Sequence, residues 1–468
     1  MNFWDSSVWN FVIQISIIFI FILGANTLRR KVKFIRNSLL PSSVIAGVVI
    51  FILKFIPLFS EWIDQNFMEV LTYHALGLGF VALSLKQVCK VKRKKDGVIL
   101  NSGIITVNGY LIQAITGLII TTVLAVTILP NFFPAAGLLL PMGFGQGTGQ
   151  ALNFGNIYEG LGFENGTAFG LSIAAIGFLV ACIVGVIYLN VLKKRGKLSI
   201  QEKRIDNANN VKVEVYGDDE APLSESVDKM TIQFGFILVV YAITYGVISL
   251  LSFLSEKFLG NFGTNTLKPL FWGFNFLFGT VFAILIKKII AILKSKQIMK
   301  HNYINNHMME RISGMFFDVM IVAGIAAIDW QDLSGILLPL VLVCIFGTIV
   351  TFVYLNFVCK KIYPKYPYEA FFSIFGMLTG TASTGMILLR EIDPNYETPA
   401  SNNLVLQQLP AIIFGAPLLL LMTFAASNGV TNVLIVLGIF TGMFIVYNLV
   451  LFRGYIFRKR NKKEEVNE

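Results

Sequence analysis

Apolar runs of about membrane-spanning length recur along the whole chain and restrict its fold more than any other feature. A helix needs roughly 20 consecutive, mostly apolar residues to cross the hydrocarbon core of a bilayer. The 468-residue chain is 55% hydrophobic and 14% charged, whereas a soluble domain carries roughly 25% charged residues. We therefore predict an all-α polytopic membrane protein, not a soluble enzyme. Runs that could form full spans lie at residues 8–28, 39–56, 67–85, 98–129, 163–192, 231–254, 267–290, 312–328, 333–358, 402–425 and 430–452.

Two stretches rich in glycine and hydroxyl residues, 134–158 and 368–391, do not fit this series. In the first, Pro134, Pro141 and the glycines between 143 and 149 should prevent an unbroken helix. We predict a helix, an unwound turn and a second helix in each stretch. Irregular backbone at membrane depth is tolerated only where it is buried in protein or lines a polar cavity. We therefore interpret both stretches as re-entrant segments that return to the side from which they enter.

Lysine and arginine residues, which produce the formal net charge of +11, concentrate in alternate connections between the apolar runs. They cluster at residues 29–36, 86–95, 193–197 and 458–463. Because cytoplasmic connections are enriched in Lys and Arg, we predict a multi-pass protein of the cell inner (plasma) membrane. Its N-terminus is placed outside and its C-terminus in the cytoplasm, provided that both broken stretches are re-entrant. A nucleic-acid-binding patch is the weaker interpretation of this charge, and no nucleic-acid partner is predicted.

The two broken stretches share a short motif that indicates an internal repeat. The pattern GxxxGT runs from Gly143 to Thr148 and again from Gly376 to Thr381, about half the chain length later. An odd number of spans precedes the polar central segment, so the second repeat should have inverted topology, as in many secondary transporters. The predicted organisation is a first membrane repeat, a cytoplasmic linker, an inverted second repeat and an additional C-terminal span with a basic tail: residues 1–192, 193–229, 230–426 and 427–468.

Residues 143–149 (GFGQGTG), followed by Gly162 and Phe163, resemble the first signature of the bacterial sodium/glutamate symporter family, which reads close to GGHGTG. Residues 39–44 (LLPSSV) resemble the early IPxxVxGG stretch of that family. The chain departs from the family at Gln146, where histidine is frequent, and at residues 380–384 (GTAST), which replace a motif like GATPT. The resemblance to a divergent member implies inverted repeats, two re-entrant segments, a homodimer and elevator-type movement.

The broken stretches are also where ligands are expected. Free amides at a helix N-terminus can hold a carboxylate, whereas free carbonyls and hydroxyls can hold sodium. Close helix packing through small residues is the alternative explanation of the glycine motifs. The predicted substrate-binding residues are Gly145, Gln146, Gly147, Thr148, Gly149, Gly380, Thr381, Arg390 and Gln407. The predicted sodium ligands are Asp318, Thr379, Ser383 and Thr384.

Three of these candidates lie outside the two motifs, and each has an alternative role. Asp318 interrupts an apolar run and is either a sodium ligand or half of a structural ion pair. Arg390 could face an anionic substrate, or Glu391 and Asp393 could neutralise it in a solvated turn. Gln407 precedes Pro410 within a span, where it could face a cavity or hydrogen-bond to another helix.

Together these features predict a sodium-coupled symporter that imports an acidic amino acid, with L-glutamate as the leading substrate. A sodium-coupled di- or tricarboxylate symporter is the alternative within transport, and a passive channel is a weaker one. An enzyme is not predicted, because the spans contain no paired carboxylates, histidine cluster or GxSxG elbow. The four cysteines and three histidines show no metal-ligand spacing. The expected partners are the lipid bilayer, the substrate and co-transported sodium, with no cofactor.

Overall fold

The computed structural model of the chain is helical and contains no strand in the residues that it describes. Those residues lie at 3–33, 35, 39–56, 59, 62–86, 96–197, 223–298, 303–329, 331–333, 335–393, 397–427 and 429–453. Most of the predicted central linker and most of the basic C-terminal tail therefore lie outside the described residues.

The helices of this described part of the chain are numbered here in chain order. They are α1 (Ser6–Lys31), α2 (Ser42–Leu53), α3 (Gln65–Leu85), α4 (Asp96–Thr127), α5 (Leu139–Gln146), α6 (Thr148–Gly160), α7 (Gly166–Lys194), α8 (Leu223–Phe262), α9 (Lys268–Gly273), α10 (Asn275–Ser295), α11 (Asn306–Ala326), α12 (Leu337–Ile362), α13 (Pro367–Leu378), α14 (Ala382–Arg390), α15 (Ala400–Leu406), α16 (Gln408–Ser427) and α17 (Gly429–Leu451). A 3-10 helix, Pro134–Leu138, leads directly into α5.

Nine helices in the described ranges are long and apolar enough to cross a bilayer, which confirms an all-α polytopic membrane protein. They are α1, α3, α4, α7, α8, α10, α12, α16 and α17.

Four predicted spans have a different extent in the structure. Two of them are divided, residues 267–290 between α9 and α10 and residues 402–425 between α15 and α16. The span predicted at 39–56 is the 12-residue helix α2, which at 1.5 Å per residue reaches only about 18 Å of a roughly 30 Å hydrocarbon core. The span predicted at 312–328 is α11, which begins earlier, at Asn306. It is long enough to cross a bilayer, but its first turns contain Glu310 and Arg311.

The chain divides into two compact units. Unit 2 comprises His74–Val91 and Leu189–Asp318, and unit 1 comprises Met1–Tyr73, Lys92–Tyr188 and Val319–Glu468. Unit 2 has its own apolar core, in which Val240 and Met309 are fully buried. Both broken stretches lie in unit 1.

Helix α4 is the main packing partner of the other helices in unit 1. It contacts α12, α16, α17 and the 3-10 helix before α5. At the last of these contacts the backbones of Gly117 and Gly137 touch so closely that a Cβ on either residue would overlap the other. The Thr121 hydroxyl donates to the Pro134 carbonyl at 2.7 Å and accepts from the Gly137 N–H at 3.2 Å. These contacts anchor the start of the first broken stretch to α4.

The additional C-terminal helix α17 is built into unit 1. It packs against α4 and α16. The Tyr447 hydroxyl donates to the Phe414 carbonyl at 3.1 Å, and the Tyr354 hydroxyl donates to Asn448 Oδ1 at 3.2 Å.

A buried lysine binds the carbonyl groups at the C-terminal end of helix α11. Lys54 follows α2 and is 8% exposed. Its ammonium group donates to the carbonyl oxygens of Ala326 at 3.2 Å and Ile328 at 2.9 Å. A cation at a helix C-terminus is stabilised by the unpaired carbonyls and by the helix dipole. The end of α2 is therefore held against the end of α11.

Candidate functional site: the junction of two broken helices

The first broken stretch has the predicted form of helix, turn and helix. Helix α5 ends at Gln146 and α6 begins at Thr148, so the break is at the single residue Gly147. Its dihedral angles of φ 78° and ψ −170° belong to a region that only glycine adopts without strain. Gly145 and Gly149 beside the break are buried, and Gln146 is partly buried.

The second broken stretch has the same form. Helix α13 ends at Leu378 and α14 begins at Ala382. Thr381 is extended, with φ −143° and ψ 170°, and its hydroxyl accepts from the N–H of Thr384 at 3.4 Å. A threonine whose hydroxyl accepts from the backbone N–H three residues later is a standard N-cap. Thr381 therefore defines the start of α14.

The two breaks lie against each other inside unit 1. A Cβ on Gly147 would be 3.4 Å from Thr381 Cγ2 and 3.8 Å from the Gly380 carbonyl oxygen. The ring of Phe178, on α7, lies beside both Gly147 and Gly380. We call the contact of Gly147 with Gly380 and Thr381 the junction. Three residues predicted from the two separate motifs thus meet here.

Four helix ends converge on the junction. The N-termini of α6 and α14 bring N–H groups, and the C-termini of α5 and α13 bring carbonyl groups. On α6 the first N–H that bonds back into the helix is that of Ala151, to Gly147 O at 3.2 Å, so the preceding three have no acceptor within the helix. Helix N-termini attract anions and C-termini attract cations. The junction therefore presents groups that attract both kinds of ligand.

Two side chains of α4 hold the carbonyl ends in position. Gln113 Nε2 donates to the Leu378 carbonyl at 2.9 Å and to Thr351 Oγ1 at 3.0 Å. The Tyr110 hydroxyl donates to the Gly145 carbonyl at 3.4 Å. Gln113 was not predicted from the sequence, because its role depends on α13 ending beside it.

The predicted threonines differ in what their hydroxyls contact. Thr148 donates to the Met320 carbonyl of α11 at 3.2 Å, and Thr379 donates to Phe375 of its own helix at 2.7 Å. The hydroxyls of Thr381 and Thr384 are 3.4 Å apart. Thr381 belongs to the junction and Thr384 lies in the first turn of α14, so this pair offers two oxygen atoms at which sodium could bind.

Other predicted residues lie apart from the junction or in a different unit. Arg390 is exposed at the C-terminal end of α14, eight residues and about 12 Å along the helix from Ala382. Asp318 is exposed on α11 and is the last residue of unit 2. Ser383 lies in the first turn of α14, but its side chain is outside the described residues. Arg390 and Asp318 are therefore not among the groups that the junction brings together.

Asp393, predicted as a neutralising partner of Arg390, binds its own loop instead. Its carboxylate accepts from the N–H groups of Glu397 and Thr398 and from the Thr398 hydroxyl, at 2.6–2.9 Å. Burial alone would raise the pKa of Asp393, but these hydrogen bonds outweigh it and lower the pKa.

Gln407 lines a small cavity beside helix α13. It is fully buried, accepts from the Thr106 hydroxyl at 3.1 Å and contacts Met377 Sδ at 3.3 Å. Ser102 and Tyr363, which are joined by a 2.6 Å hydrogen bond, line the same cavity. Gln407 is thus held by buried partners, whereas the neighbouring Gln408 is exposed and its Nε2 lies 3.6 Å from the same Met377 Sδ.

Gln150 was missed in the sequence. It lies in the first turn of α6, three residues after Gly147, and is 1% exposed. Neither its amide nitrogen nor its amide oxygen has a hydrogen-bond partner among the described residues. An uncharged amide directly after a predicted helix break is a signal that could have found it.

In the described part of the chain no three His, Cys, Asp or Glu side chains are grouped as a metal site. The junction itself presents carbonyl and hydroxyl oxygens, the ligand atoms that hard cations prefer.

Comparison of the sequence with known protein-family models and with curated proteins found no match.

Proposed function

We propose that this membrane protein is a sodium-coupled symporter that imports an acidic amino acid, with L-glutamate as the leading substrate. The observation that carries the proposal is the contact of Gly147 with Gly380 and Thr381. Two helices broken at a related motif, and meeting at their breaks, are the arrangement on which secondary transporters build a central ligand site.

In this proposal the anion and the cation bind at opposite kinds of helix end. Substrate carboxylates accept from the N–H groups at the starts of α6 and α14. Sodium binds the carbonyl ends of α5 and α13 together with the hydroxyls of Thr381 and Thr384. Gly147, Gly380, Thr381 and Phe178 carry no ionisable side chain. Bound sodium therefore offsets the charge of the anion, which lowers the cost of moving it through a low-dielectric region.

Coupling follows if each ligand stabilises the bound state of the other. The free energy of such coupling is reciprocal, so sodium would raise the affinity for the anion by the factor by which the anion raises the affinity for sodium. Inverted repeats, re-entrant segments, elevator-type movement and a homodimer belong to the same proposal. They are supported by the form that the two broken stretches share, two helices separated by a break, and by the resemblance to the sodium/glutamate symporters.

A di- or tricarboxylate is the second candidate substrate. Free N–H groups recognise a carboxylate whatever molecule carries it, and the junction residues offer no carboxylate to pair with an α-ammonium group. Citrate or malate would meet the same helix ends as glutamate.

Uptake by purified protein in liposomes tests the proposal. Labelled L-glutamate, L-aspartate, citrate and malate are supplied with an inward sodium gradient or with choline in its place. We expect accumulation of glutamate only with the sodium gradient. Glutamate accumulation that persists without sodium would refute the coupling, and uptake of citrate alone would replace glutamate by the second candidate.

Two threonine variants test whether the hydroxyls of Thr381 and Thr384 bind sodium. Thr381→Val and Thr384→Val should raise the sodium concentration needed for half-maximal uptake. Thr441→Val is the matched control, because Thr441 is exposed on α17 and bonds only to its own helix at Leu437. Equal sodium dependence in all three variants would leave the two α14 hydroxyls with a packing role only.

A further inference from the structure

We propose that Gln150 binds a carboxylate group of the transported anion directly, through its side-chain amide. This inference rests on the function proposed above and adds a specific side chain to an anion-binding position otherwise built from backbone N–H groups.

The side-chain amide of Gln150 is buried but not hydrogen-bonded within the described residues. Buried side-chain amides are nearly always hydrogen-bonded, and a buried polar group without a partner costs about 1–3 kcal/mol. Three other buried glutamines each have at least one partner: Gln233 bonds to Tyr303 and Asn305, Gln407 bonds to Thr106, and Gln113 bonds through Nε2 to Leu378 while its Oε1 has no partner among the described residues. Gln150 has no such partner among the described residues. A ligand that binds there would supply one.

Gln150 lies in the first turn of α6, beside the break at Gly147. Helical side chains tilt toward the N-terminus of their helix, so the Gln150 side chain leans toward the break at Gly147. The three N–H groups without an acceptor in the helix, those of residues 148–150, are at the same end of this 13-residue helix. The Nε2 group of Gln150 would donate to the same carboxylate that these N–H groups bind.

The chemistry fits a neutral amide better than a fixed positive charge. An arginine buried at the junction would need a bound anion at all times to offset its charge. A neutral amide can remain without a ligand, at the cost of about 1–3 kcal/mol for an unpaired buried polar group. Arg390, the predicted cationic contact, is exposed at the other end of α14. Gln150 therefore takes the role of a substrate-binding side chain that the sequence had assigned to Arg390.

Thermal unfolding of the purified full-length protein tests this inference. The probes are sodium chloride, the choline salt of L-glutamate, sodium glutamate and sodium citrate. Gln150→Leu and the unbranched Gln150→Met should unfold at the wild-type temperature or above without substrate, because no bond is lost and an unpaired amide is removed. Their apparent Kd for the carboxylate that stabilises the wild type should rise about 10–100-fold, as expected for a lost hydrogen bond to a charged group.

Gln233→Leu is the matched control. It replaces a buried glutamine, 1% exposed, whose side chain is hydrogen-bonded to Tyr303 and Asn305. It should unfold at a lower temperature than the wild type and keep the wild-type Kd. The two substitutions thus have opposite expected effects on stability and on binding.

Three results would overturn the inference. Loss of stability in Gln150→Leu as large as in Gln233→Leu would show that Gln150 has a structural partner. An unchanged Kd in both Gln150 variants would remove Gln150 from the site while leaving the proposed function intact. A wild type that neither glutamate nor citrate stabilises, with or without sodium, would refute the proposed function, and this inference would fail with it.

Discussion

Gln113 and Leu378 join helix α4 to the second break. Gln113 Nε2 donates to the Leu378 carbonyl oxygen at 2.9 Å, and its second hydrogen is directed to Thr351 Oγ1 at 3.0 Å. Leu378 is the last residue of α13, where the helix has no further N–H to offer its carbonyls. A side chain 265 positions away in sequence therefore holds the end of a helix that forms the junction.

Replacement of Gln113 by leucine should destabilise the protein by about 1–3 kcal/mol, because the Leu378 carbonyl loses a buried donor. Thermal unfolding in detergent and uptake in liposomes measure the effect, and both should fall. Thr351→Val is the control, since it removes only the second of the two contacts and should cost less. Equal losses in the two variants would contradict a special role for the Leu378 contact.

Gly147→Ala should reduce uptake severely and destabilise the fold by about 1–3 kcal/mol. Its φ of 78° and ψ of −170° strain any residue with a Cβ. Gly160→Ala, at the other end of the same helix, is the matched control, because nothing lies within 4 Å of the Cβ it would add. Wild-type uptake by Gly147→Ala would show that the break tolerates a different backbone conformation.

Gly324→Ala should displace Thr148. A Cβ on Gly324 would be 2.5 Å from Thr148 Cβ, so either α6 or α11 must shift, at a cost of about 1–3 kcal/mol. Gly314→Ala adds the same methyl group to the same helix where nothing lies within 4 Å. Unfolding temperatures of the two variants should differ, and uptake should fall only for Gly324→Ala. Identical behaviour would mean that this approach of α6 to α11 is not close in the working protein.

Gly117→Ala should be among the most damaging single methyl additions, with a loss of about 3 kcal/mol. Its Cβ would overlap the backbone of Gly137, which cannot move aside as a flexible side chain can. Gly97→Ala, in the first turn of the same helix and with no atom of the described residues within 4 Å of the added Cβ, should be neutral or slightly stabilising. The yield of folded protein and its unfolding temperature measure both. A stable Gly117→Ala would refute the tight anchoring of Pro134–Leu138 to α4.

Asp393 should make stability depend on pH in the acidic range. Because its pKa is lower in the folded protein than in the unfolded chain, the carboxylate stabilises the fold above about pH 4. That contribution is lost as the pH falls through the folded-state pKa. Asp393→Asn should therefore be less stable than the wild type at pH 7 by about 1 kcal/mol, with a gap that closes below pH values of about 4.

Thr398→Val gives the comparison for Asp393, since it removes one of the three hydrogen bonds to the carboxylate. It should show a smaller loss in the same pH window. A stability gap for Asp393→Asn that is the same at all pH values would show that the charge of the carboxylate is not what stabilises this loop.

The breaks in the two re-entrant candidates were predictable because their cause is local. The break at Gly147 and the end of α13 at Leu378 both depend on residues within one or two helical turns. The extents of four spans were not predicted correctly, and for the span at 39–56 the reason lies in another part of the fold. Lys54, for example, extends an apolar run in the sequence, but in the structure it follows the end of α2 and bonds to the end of α11.

The roles of individual polar residues were harder to predict than the breaks. Arg390 and Gln150 are both polar and both follow a GxxxGT motif, so their sequence context is similar. Their positions along a helix separate them, because Arg390 is at the far end of α14 and Gln150 is in the first turn of α6. Only the packed structure reveals that one is exposed and that the other is buried with no hydrogen-bond partner among the described residues.

The sequence by itself determined that this chain is a polytopic helical membrane protein and where its two unusual helices break. Both conclusions follow from the length of apolar runs and from the backbone freedom of glycine, which act over a few residues. The tertiary structure decided that Gly147 meets Thr381, that Gln113 holds Leu378, and that Gln150 is left unsatisfied. These relationships join residues far apart in sequence or depend on what surrounds a side chain, and so they arise only when the helices pack.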